Sequence, residues 1–181
     1  ATGGIPPNPP FSRVHVPGER GPPLTRDGHY GNVHALADGG SIVTMNDIMA
    51  PDDLYRLDAR GGAKKLTDLN RELLSQLDPV TFNKFSFAGA NGDTVWGWTV
   101  KPANTTAPLP IALLVHGGPQ GSFSNSWSYR WNPRLFTAPG YAAVSVDFHG
   151  SEGYGQAFVD AIHQNWGGWP LEDLQKGLAY A

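Results

Sequence analysis

The sequence contains no cysteine, which excludes disulfide bonds and thiolate chemistry but identifies no cellular compartment. No apolar run approaches the roughly 18 residues that a transmembrane helix needs. Charged residues make up only 16% of the chain, and the formal net charge is −3. Because no basic patch is available to attract phosphate groups, the composition argues against nucleic acid and anionic membrane surfaces as partners.

Two further signals are missing. The N-terminal stretch ATGGIPPNPPF has neither a charged start nor an apolar segment, so we do not expect it to be a signal peptide. The histidines show no spacing typical of metal ligands, so we expect no metal site. They are His15, His29, His34, His116, His149 and His163.

The residues that are present predict a globular, turn-rich protein. The chain has 181 residues, of which 40% are hydrophobic, and this is enough for a core of ordinary size. The 23 glycines, 16 prolines and 20 aromatic residues favour a turn-rich protein with aromatic packing over a helical bundle.

The first 80 residues are typical of short strands separated by glycine-rich turns. The clearest strands are SIVTMN at 41–46 and DLYRLD at 53–58, and a short helix is predicted within 66–77. Such a succession of short strands indicates a β-propeller or a β-sandwich, although no repeat can be identified among so few strands.

A β-hairpin is predicted next, with strands at 82–89 and 94–102 around Asn91-Gly92, since both residues tolerate a positive φ. The continuous apolar run PIALLVHGG, which starts at Pro110, predicts a strand covered on both faces. The run YAAVSVDFHG, from Tyr141, predicts a second buried strand.

Three helices are expected in the second half. Asn132 is a candidate cap for a helix that starts at Pro133 and ends at Gly140. Two more helices are predicted over 154–166 and 170–181. The apolar face of the last helix is expected to consist of Leu171, Leu174, Leu178 and Ala181. This order of strands and helices is typical of the beginning of a parallel α/β sheet, and we expect the chain to stop before such a domain is complete.

The sequence His116-Gly117-Gly118-Pro119 follows the first buried strand directly. Functional loops of open α/β sheets lie at the carboxyl ends of strands, and glycines let backbone N–H groups approach a ligand oxygen. The loop therefore predicts an oxyanion-hole donor, as α/β-hydrolases have at this place. The alternative is an ordinary turn after a core strand.

No nucleophile accompanies this loop. Ser151 is not in a Gly-x-Ser-x-Gly motif, because His149 occupies the first glycine position, and no such motif occurs anywhere in the sequence. We therefore do not expect Ser151 to be a nucleophile. Asp147 and His149 lie two residues apart on one loop and are expected to hold that loop in place.

Aromatic side chains are the remaining candidates for substrate contacts. Trp127 and Tyr154 are candidate substrate-binding residues. For the aromatic residues of this region, packing in the core is the favoured alternative. They include Tyr129, Trp131, Trp166 and Trp169.

Three segments, HGGPQGSFSNSWSYRWNP, VDFHGSEGYGQAF and NWGGWPLEDLQKGL, resemble the prolyl oligopeptidase family of serine peptidases in order and spacing. The resemblance is to the branch with acylaminoacyl-peptidases and dipeptidyl-peptidase V. It implies an α/β fold, the opening part of an α/β-hydrolase domain preceded by the closing blades of a β-propeller. Residues 1–80 would be the C-terminal end of the propeller, and residues 81–181 the truncated N-terminal part of the hydrolase domain.

The same resemblance implies a serine exopeptidase that cleaves dipeptides or acyl-amino acids from peptide N-termini through an acyl-enzyme, without a cofactor. The family's Ser, Asp and His would all lie beyond Ala181. The expected partners are a peptide substrate and a complementary C-terminal piece of the same polypeptide that carries the triad. Gly117 and Gly118 would supply the oxyanion donor while His116 positions the loop. A periplasmic or secreted location is suspected from the family alone.

Two alternatives from other classes remain open. The chain could belong to an α/β-hydrolase that acts on esters, or to a non-catalytic interaction module. Lipase-type esterases favour His-Gly-Gly-Gly at this loop, so Pro119 and the blade-like sequence before the hairpin favour the peptidase.

Overall fold

The computed structural model describes Thr25 and residues 28–181. The N-terminal stretch interpreted above, and His15 with it, lies outside the described residues. The described chain forms two compact units. One unit holds residues 28–77 and Ser124–Asn132, and the other holds Asp78–Phe123 and Pro133–Ala181. They are called the β1–β4 unit and the β5–β8 unit after their strands.

The β1–β4 unit is built on an antiparallel sheet of four strands in the order β1-β2-β3-β4. The strands are β1 His29–Ala35, β2 Ser41–Asp47, β3 Ala50–Leu57 and β4 Ala63–Lys65. Both strands that the sequence predicted are confirmed as β2 and β3. The predicted helix within 66–77 is present but shorter, as α1 Arg71–Leu74.

A buried carboxylate explains why β3 does not show apolar alternation in its sequence. Asp53, not Leu54, points inward, and Leu54 is 41% exposed. Asp53 accepts hydrogen bonds from the Thr67 hydroxyl at 2.6 Å and the Leu69 N–H at 3.1 Å, and pairs with Lys65 at 2.9 Å. The charge is therefore compensated, and it ties the chain after β4 to β3.

In the β5–β8 unit, β5 Val80–Ala88 and β6 Thr94–Pro102 form the predicted hairpin. Asn91 and Gly92 adopt φ values of 54° and 77° at its turn, as their sequence predicted. The amide N–H of Gly89 donates to the Asp93 carbonyl at 2.8 Å and closes the turn.

Two more strands complete this sheet. β7 Ile111–Leu114 and β8 Ala142–Asp147 are parallel, and the strand order is β5-β6-β8-β7. Both strands predicted within 110–118 and 141–150 are present, and the predicted burial of the second one, β8, is confirmed. The expectation that the first strand is covered on both faces is wrong for the described chain, because Ile111 is 44% exposed. This strand, β7, also lies at the edge of the sheet there.

The core of this unit is centred on valines of the two middle strands. Val95, Val144 and Val146 are at most 1% exposed. Partly buried residues pack around them: Phe85, Phe87, Leu113, Phe158 and Leu174. This core fixes β8, whose carboxyl end carries Asp147 and the following loop.

Three helices flank the sheet: α2 Arg134–Thr137, α3 Gln156–Asp160 and α4 Trp169–Tyr180. The prediction that Asn132 caps α2 is wrong, because its side-chain amide instead donates to the Ile48 carbonyl at 3.0 Å within the β1–β4 unit. α3 is shorter than predicted, and Gln164, with a φ of 55°, lies in the turns that follow it.

Helix α4 is confirmed, but its buried face is not the predicted one. Of the predicted apolar face only Leu174 packs against the core, whereas Leu171 and Leu178 are 47% and 37% exposed, and the buried residues are Pro170, Asp173 and Gly177. The reason is that the helix docks through the Asp173 carboxylate and through close backbone approach at Gly177. None of the described helices is long and apolar enough to span a bilayer.

Candidate active site

Two loops meet at one edge of the β5–β8 sheet because β7 and β8 are parallel neighbours. The first loop starts at Val115 and runs to Gly121, and the second runs from Asp147 to Glu152. The N–H of Glu152 donates to the Gly121 carbonyl at 2.9 Å and joins the far ends of the two loops.

The His116 side chain lies between these loops. Its ring stacks on Phe148, with centroids 4.4 Å apart and planes 13° apart, and meets the edge of Phe123. Its Nε2 lies 2.8 Å from the Ser151 Oγ, and its Nδ1 lies 3.1 Å from the Gly117 carbonyl oxygen. Burial lowers the pKa of His116, against the opposing effects of the hydrogen bond to Gly117 and the charge of Glu152, and so favours the neutral ring.

Gly117 and Gly118 are exposed at the tip of the first loop. Within the described part of the chain, neither of their N–H groups donates a hydrogen bond. Gly118 has a φ of +133°, and a Cβ there would lie 2.6 Å from the Gln120 nitrogen, so the position requires glycine. A Cβ at Gly117 would meet nothing within 4 Å. The loop thus presents two backbone donors to solvent, which is what an anionic oxygen needs.

Asp147 is fully buried at the start of the second loop. It accepts a hydrogen bond from the Phe123 N–H at 2.7 Å and another from the Tyr154 hydroxyl at 2.5 Å. Burial raises the pKa of Asp147 to about 6, although both hydrogen bonds act in the opposite direction. These contacts fasten Phe123 and Tyr154 to β8 and confirm that Asp147 holds the loop.

His149 is buried against helix α4. Its backbone N–H and its Nδ1 lie 2.8 Å and 2.6 Å from the same Asp173 oxygen, and its ring stacks on Phe158 at 4.2 Å. Burial disfavours the charged ring, but the hydrogen bond and charge of Asp173, with a smaller effect of Asp93, raise the pKa of His149 overall. The predicted loop-holding role of His149 is also confirmed.

Asp173 is the residue that sequence reasoning missed. It also accepts a hydrogen bond from the Ala90 N–H at 2.7 Å and so joins the hairpin turn to the second loop. The signal was available, because Pro170, Asp173 and Gly177 share one face at helical spacing. A carboxylate in a buried stripe indicates a specific hydrogen-bonding partner.

Ser151 is fully buried and therefore cannot meet a substrate carbonyl in this arrangement. The nearby Asp147 does not make it a triad serine. A triad histidine uses one ring nitrogen for serine and the other for aspartate, whereas Ser151 and Asp147 both face His116 Nε2, at 2.8 Å and 3.9 Å. The expectation that Ser151 is not the nucleophile agrees with this geometry.

The two predicted substrate contacts lie in different units. Tyr154 is half-buried in the β5–β8 unit, where its hydroxyl is engaged by Asp147. Trp127 belongs to the β1–β4 unit, where its backbone N–H donates to the Asn46 side chain at 2.9 Å. Its indole N–H is buried with no partner among the described residues. A substrate-binding role for either residue stays a prediction.

A cavity of about 600 Å³ adjoins the first loop in the β5–β8 unit. Its wall combines Pro119 and Gln120 of that loop with side chains from α3 and the turns after it: Val159, Asp160, Ile162, His163 and Trp166.

Across the described chain, no three His, Asp or Glu side chains are grouped so as to hold a metal ion.

Comparison with known proteins places these loops in a family context. Residues 127–181 match the model of the prolyl oligopeptidase family. The chain is 37% identical over 167 residues to a probable dipeptidyl-peptidase 5 of Emericella nidulans, covering 88% of this chain and 23% of that protein. It is 42% identical over 106 residues to dipeptidyl-peptidase 5 of Schizosaccharomyces pombe, covering 58% of this chain and 16% of that protein.

The chain belongs to the prolyl oligopeptidase family. Its structure is similar to that of Pyrococcus horikoshii acylaminoacyl peptidase, with a TM-score of 0.73 at 25% identity over 86% of this chain and 24% of that one. The predicted fold class is confirmed: the opening part of an α/β-hydrolase domain, preceded by propeller sequence. The family member described here spans about a quarter or less of the curated relatives cited.

Proposed function

We propose that this chain is part of a serine exopeptidase that releases dipeptides or acyl-amino acids from peptide N-termini through an acyl-enzyme. The observation that carries the proposal is the loop after β7, where the N–H groups of Gly117 and Gly118 are exposed and unpaired among the described residues. In acyl transfer, such donors stabilise the negative charge that develops on the carbonyl oxygen of the substrate.

The donor set alone cannot perform this reaction, because a nucleophile and its base are also needed. No Gly-x-Ser-x-Gly motif occurs in the sequence, and Ser151 is buried. We assign the nucleophile, the general base and its acidic partner to a complementary C-terminal piece of the same polypeptide. In this scheme His116 positions the loop and is not the base, since both of its ring nitrogens have partners.

The domain assignment is part of the proposal. Residues 1–80 would be the C-terminal end of a β-propeller, and residues 81–181 the N-terminal part of the peptidase domain. The four-stranded antiparallel sheet β1–β4 supports the first assignment, since propeller blades have this architecture. The mixed sheet with its parallel pair β7 and β8 supports the second. Trp127 and Tyr154 remain the candidates for contacts with the peptide.

The decisive experiment uses the whole polypeptide that contains this sequence. It is incubated with a serine-directed phosphonate, the labelled residue is identified by mass spectrometry, and turnover is measured on dipeptidyl amides, acyl-amino acid amides and short acyl esters. We expect a labelled serine outside residues 1–181 and preferential turnover of the amides, unaffected by EDTA. A label on Ser151, or activity that zinc restores after chelation, would refute the mechanism. Preferential ester hydrolysis would indicate an esterase, and peptide binding without turnover would indicate an interaction module.

A further inference from the structure

The hydrogen bonds of His116 define which ring nitrogen carries the proton. The Gly117 carbonyl can only accept, so the Nδ1 that lies 3.1 Å from it must be the protonated nitrogen. In the neutral ring, Nε2 is then an acceptor, and the Ser151 hydroxyl, 2.8 Å away, must donate to it. The direction of donation therefore runs from Ser151 to His116 and from His116 to Gly117.

The Gly117 carbonyl shares one planar peptide unit with the N–H of Gly118. In a trans peptide the C=O and the N–H point in opposite directions. When His116 holds the carbonyl toward its own ring, the Gly118 N–H is turned away from the ring. This N–H has no partner among the described residues, and Gly118 is exposed.

We propose that Ser151 is a positioning residue: its hydroxyl fixes the His116 ring, the ring holds the Gly117 carbonyl, and the Gly118 N–H is thereby aimed at the substrate oxyanion. This inference rests on the proposed function, and it selects Gly118 over Gly117 as the donor. It also gives the buried Ser151 a role in a peptidase of which it is not the nucleophile.

The surroundings of Ser151 keep this relay rigid. Ser151 is fully buried, and its own N–H donates to the Phe148 carbonyl at 2.9 Å. Phe148 in turn stacks on the His116 ring at 4.4 Å, so both ends of the Ser151–His116 contact are attached to the same turn. A donor held in advance needs no reorientation during the reaction, which is the condition for strong oxyanion stabilisation.

The test compares three variants of the whole polypeptide: Ser151→Ala, which removes the hydroxyl; Ser151→Cys, which replaces it by a slightly larger and weaker donor; and Ser145→Ala as the matched control. Ser145 is a buried serine of β8. Active sites are counted by phosphonate titration, so that kcat is expressed per intact site and loss of folded protein does not imitate a catalytic effect. Reaction with the phosphonate is also timed, because it too develops charge on oxygen.

We expect kcat per titrated site to fall about 10- to 100-fold in Ser151→Ala, as misplacement of a donor entails. The KM should change little, the Cys variant should be intermediate, and Ser145→Ala should match the wild type. Normal kcat per site in both Ser151 variants, or an equal loss in the Ser145 control, would overturn the relay while leaving the proposed function intact. Absence of turnover and labelling in the wild type would overturn the proposed function and the relay together.

Discussion

Gly117 and Gly118 are neighbours of the same type, yet the space around their α-carbons differs. A side chain at Gly117 would enter open space, whereas one at Gly118 would meet the backbone of Gln120 and would require a φ of +133° that L-residues rarely adopt. The identity of residue 118 is therefore set by backbone geometry, and the geometry is that of the proposed oxyanion donor.

Valine at position 118 keeps a backbone N–H, but its side chain would clash with Gln120 and move that N–H away from the oxyanion. Because the donor acts mainly in the transition state, Gly118→Val in the whole polypeptide should lower kcat by roughly 100- to 1,000-fold with little change in KM. The measurement is steady-state kinetics on a dipeptidyl amide. Gly167→Ala is the control, since this glycine is exposed and a Cβ there meets nothing within 4 Å. A Gly118→Val variant with near-normal kcat would mean that the loop is an ordinary turn.

Asp147 is expected to make the stability of the protein depend on pH. Its pKa of about 6 lies above the ordinary value of 3.8, so the folded state binds the proton more tightly than the unfolded state does. The free energy of unfolding therefore falls as pH rises from about 4 to about 6, by up to about 3 kcal/mol, and this group contributes no further change above that range.

Asp147→Asn cannot ionise and should remove this part of the pH dependence. Thermal unfolding midpoints of Asp147→Asn and wild type are measured on the whole polypeptide between pH 4 and pH 7. We expect the midpoint of the variant to rise relative to that of the wild type as pH rises. A difference between the two unfolding midpoints that does not change with pH would show that Asp147 has an ordinary pKa.

Among the secondary-structure elements, helix α4 shows how a polar residue and a glycine can dock a helix. Asp173 accepts hydrogen bonds from Ala90 and His149, and the absence of a side chain at Gly177 lets the helix backbone approach Val146 and Phe87. The Lys176 ammonium adds a hydrogen bond to the Gly89 carbonyl at 2.7 Å. The helix is thus fixed to the hairpin turn and to the loop that carries Ser151.

Gly177→Ala should destabilise the protein, even though the intrinsic helix propensity of alanine is about 1 kcal/mol more favourable than that of glycine. The new Cβ would lie 2.5 Å from Val146 Cγ2, and overpacking of this kind costs about 1 to 3 kcal/mol. Thermal unfolding of the whole polypeptide provides the measurement, with the exposed Gln175→Ala on the same helix as control. A higher unfolding midpoint for Gly177→Ala would contradict close docking at this position.

At the scale of the whole molecule, the sheet of the β5–β8 unit has an open edge at β7. In the described chain β7 pairs with β8 alone, and Val115 just beyond it is 54% exposed. An unpaired parallel edge with apolar side chains is a site for pairing with another strand. In a polypeptide about four times longer, as the relatives are, we expect a strand from elsewhere in the same chain to cover it.

Hydrogen exchange measured by mass spectrometry tests this expectation. Peptides that contain Ile111–Leu114 should exchange more slowly in the whole polypeptide than in the isolated 181-residue chain. Strand β6 is paired on both sides, so its exchange in the two samples controls for global folding. Equal protection of β7 in both, with β6 also equal, would show that its edge stays open.

Local sequence determined the features that depend on neighbouring residues. Asn91-Gly92 specified the hairpin turn because both residues adopt positive φ, and the apolar, valine-containing run from Tyr141 correctly predicted the buried strand β8. The family motifs specified the fold class, and the glycines after the apolar run predicted the loop that follows β7.

Tertiary structure decided the features that depend on distant partners. Helix α2 has no side-chain capping bond, and the side-chain amide N–H of Asn132 instead donates to the carbonyl of Ile48, far away in the sequence, a contact that directs the side chain away from the helix. The helical spacing of Pro170, Asp173 and Gly177 indicates that Asp173 is buried, but only the fold identifies the donors that compensate it, the N–H groups of His149 and Ala90. The sequence excluded Ser151 as a nucleophile but gave it no role, and only the fold shows that its hydroxyl contacts the His116 ring. Hydrogen-bond partners brought together by folding are not encoded in sequence spacing, and neither is the place of a strand in its sheet, whereas turn conformations and the existence of strands are.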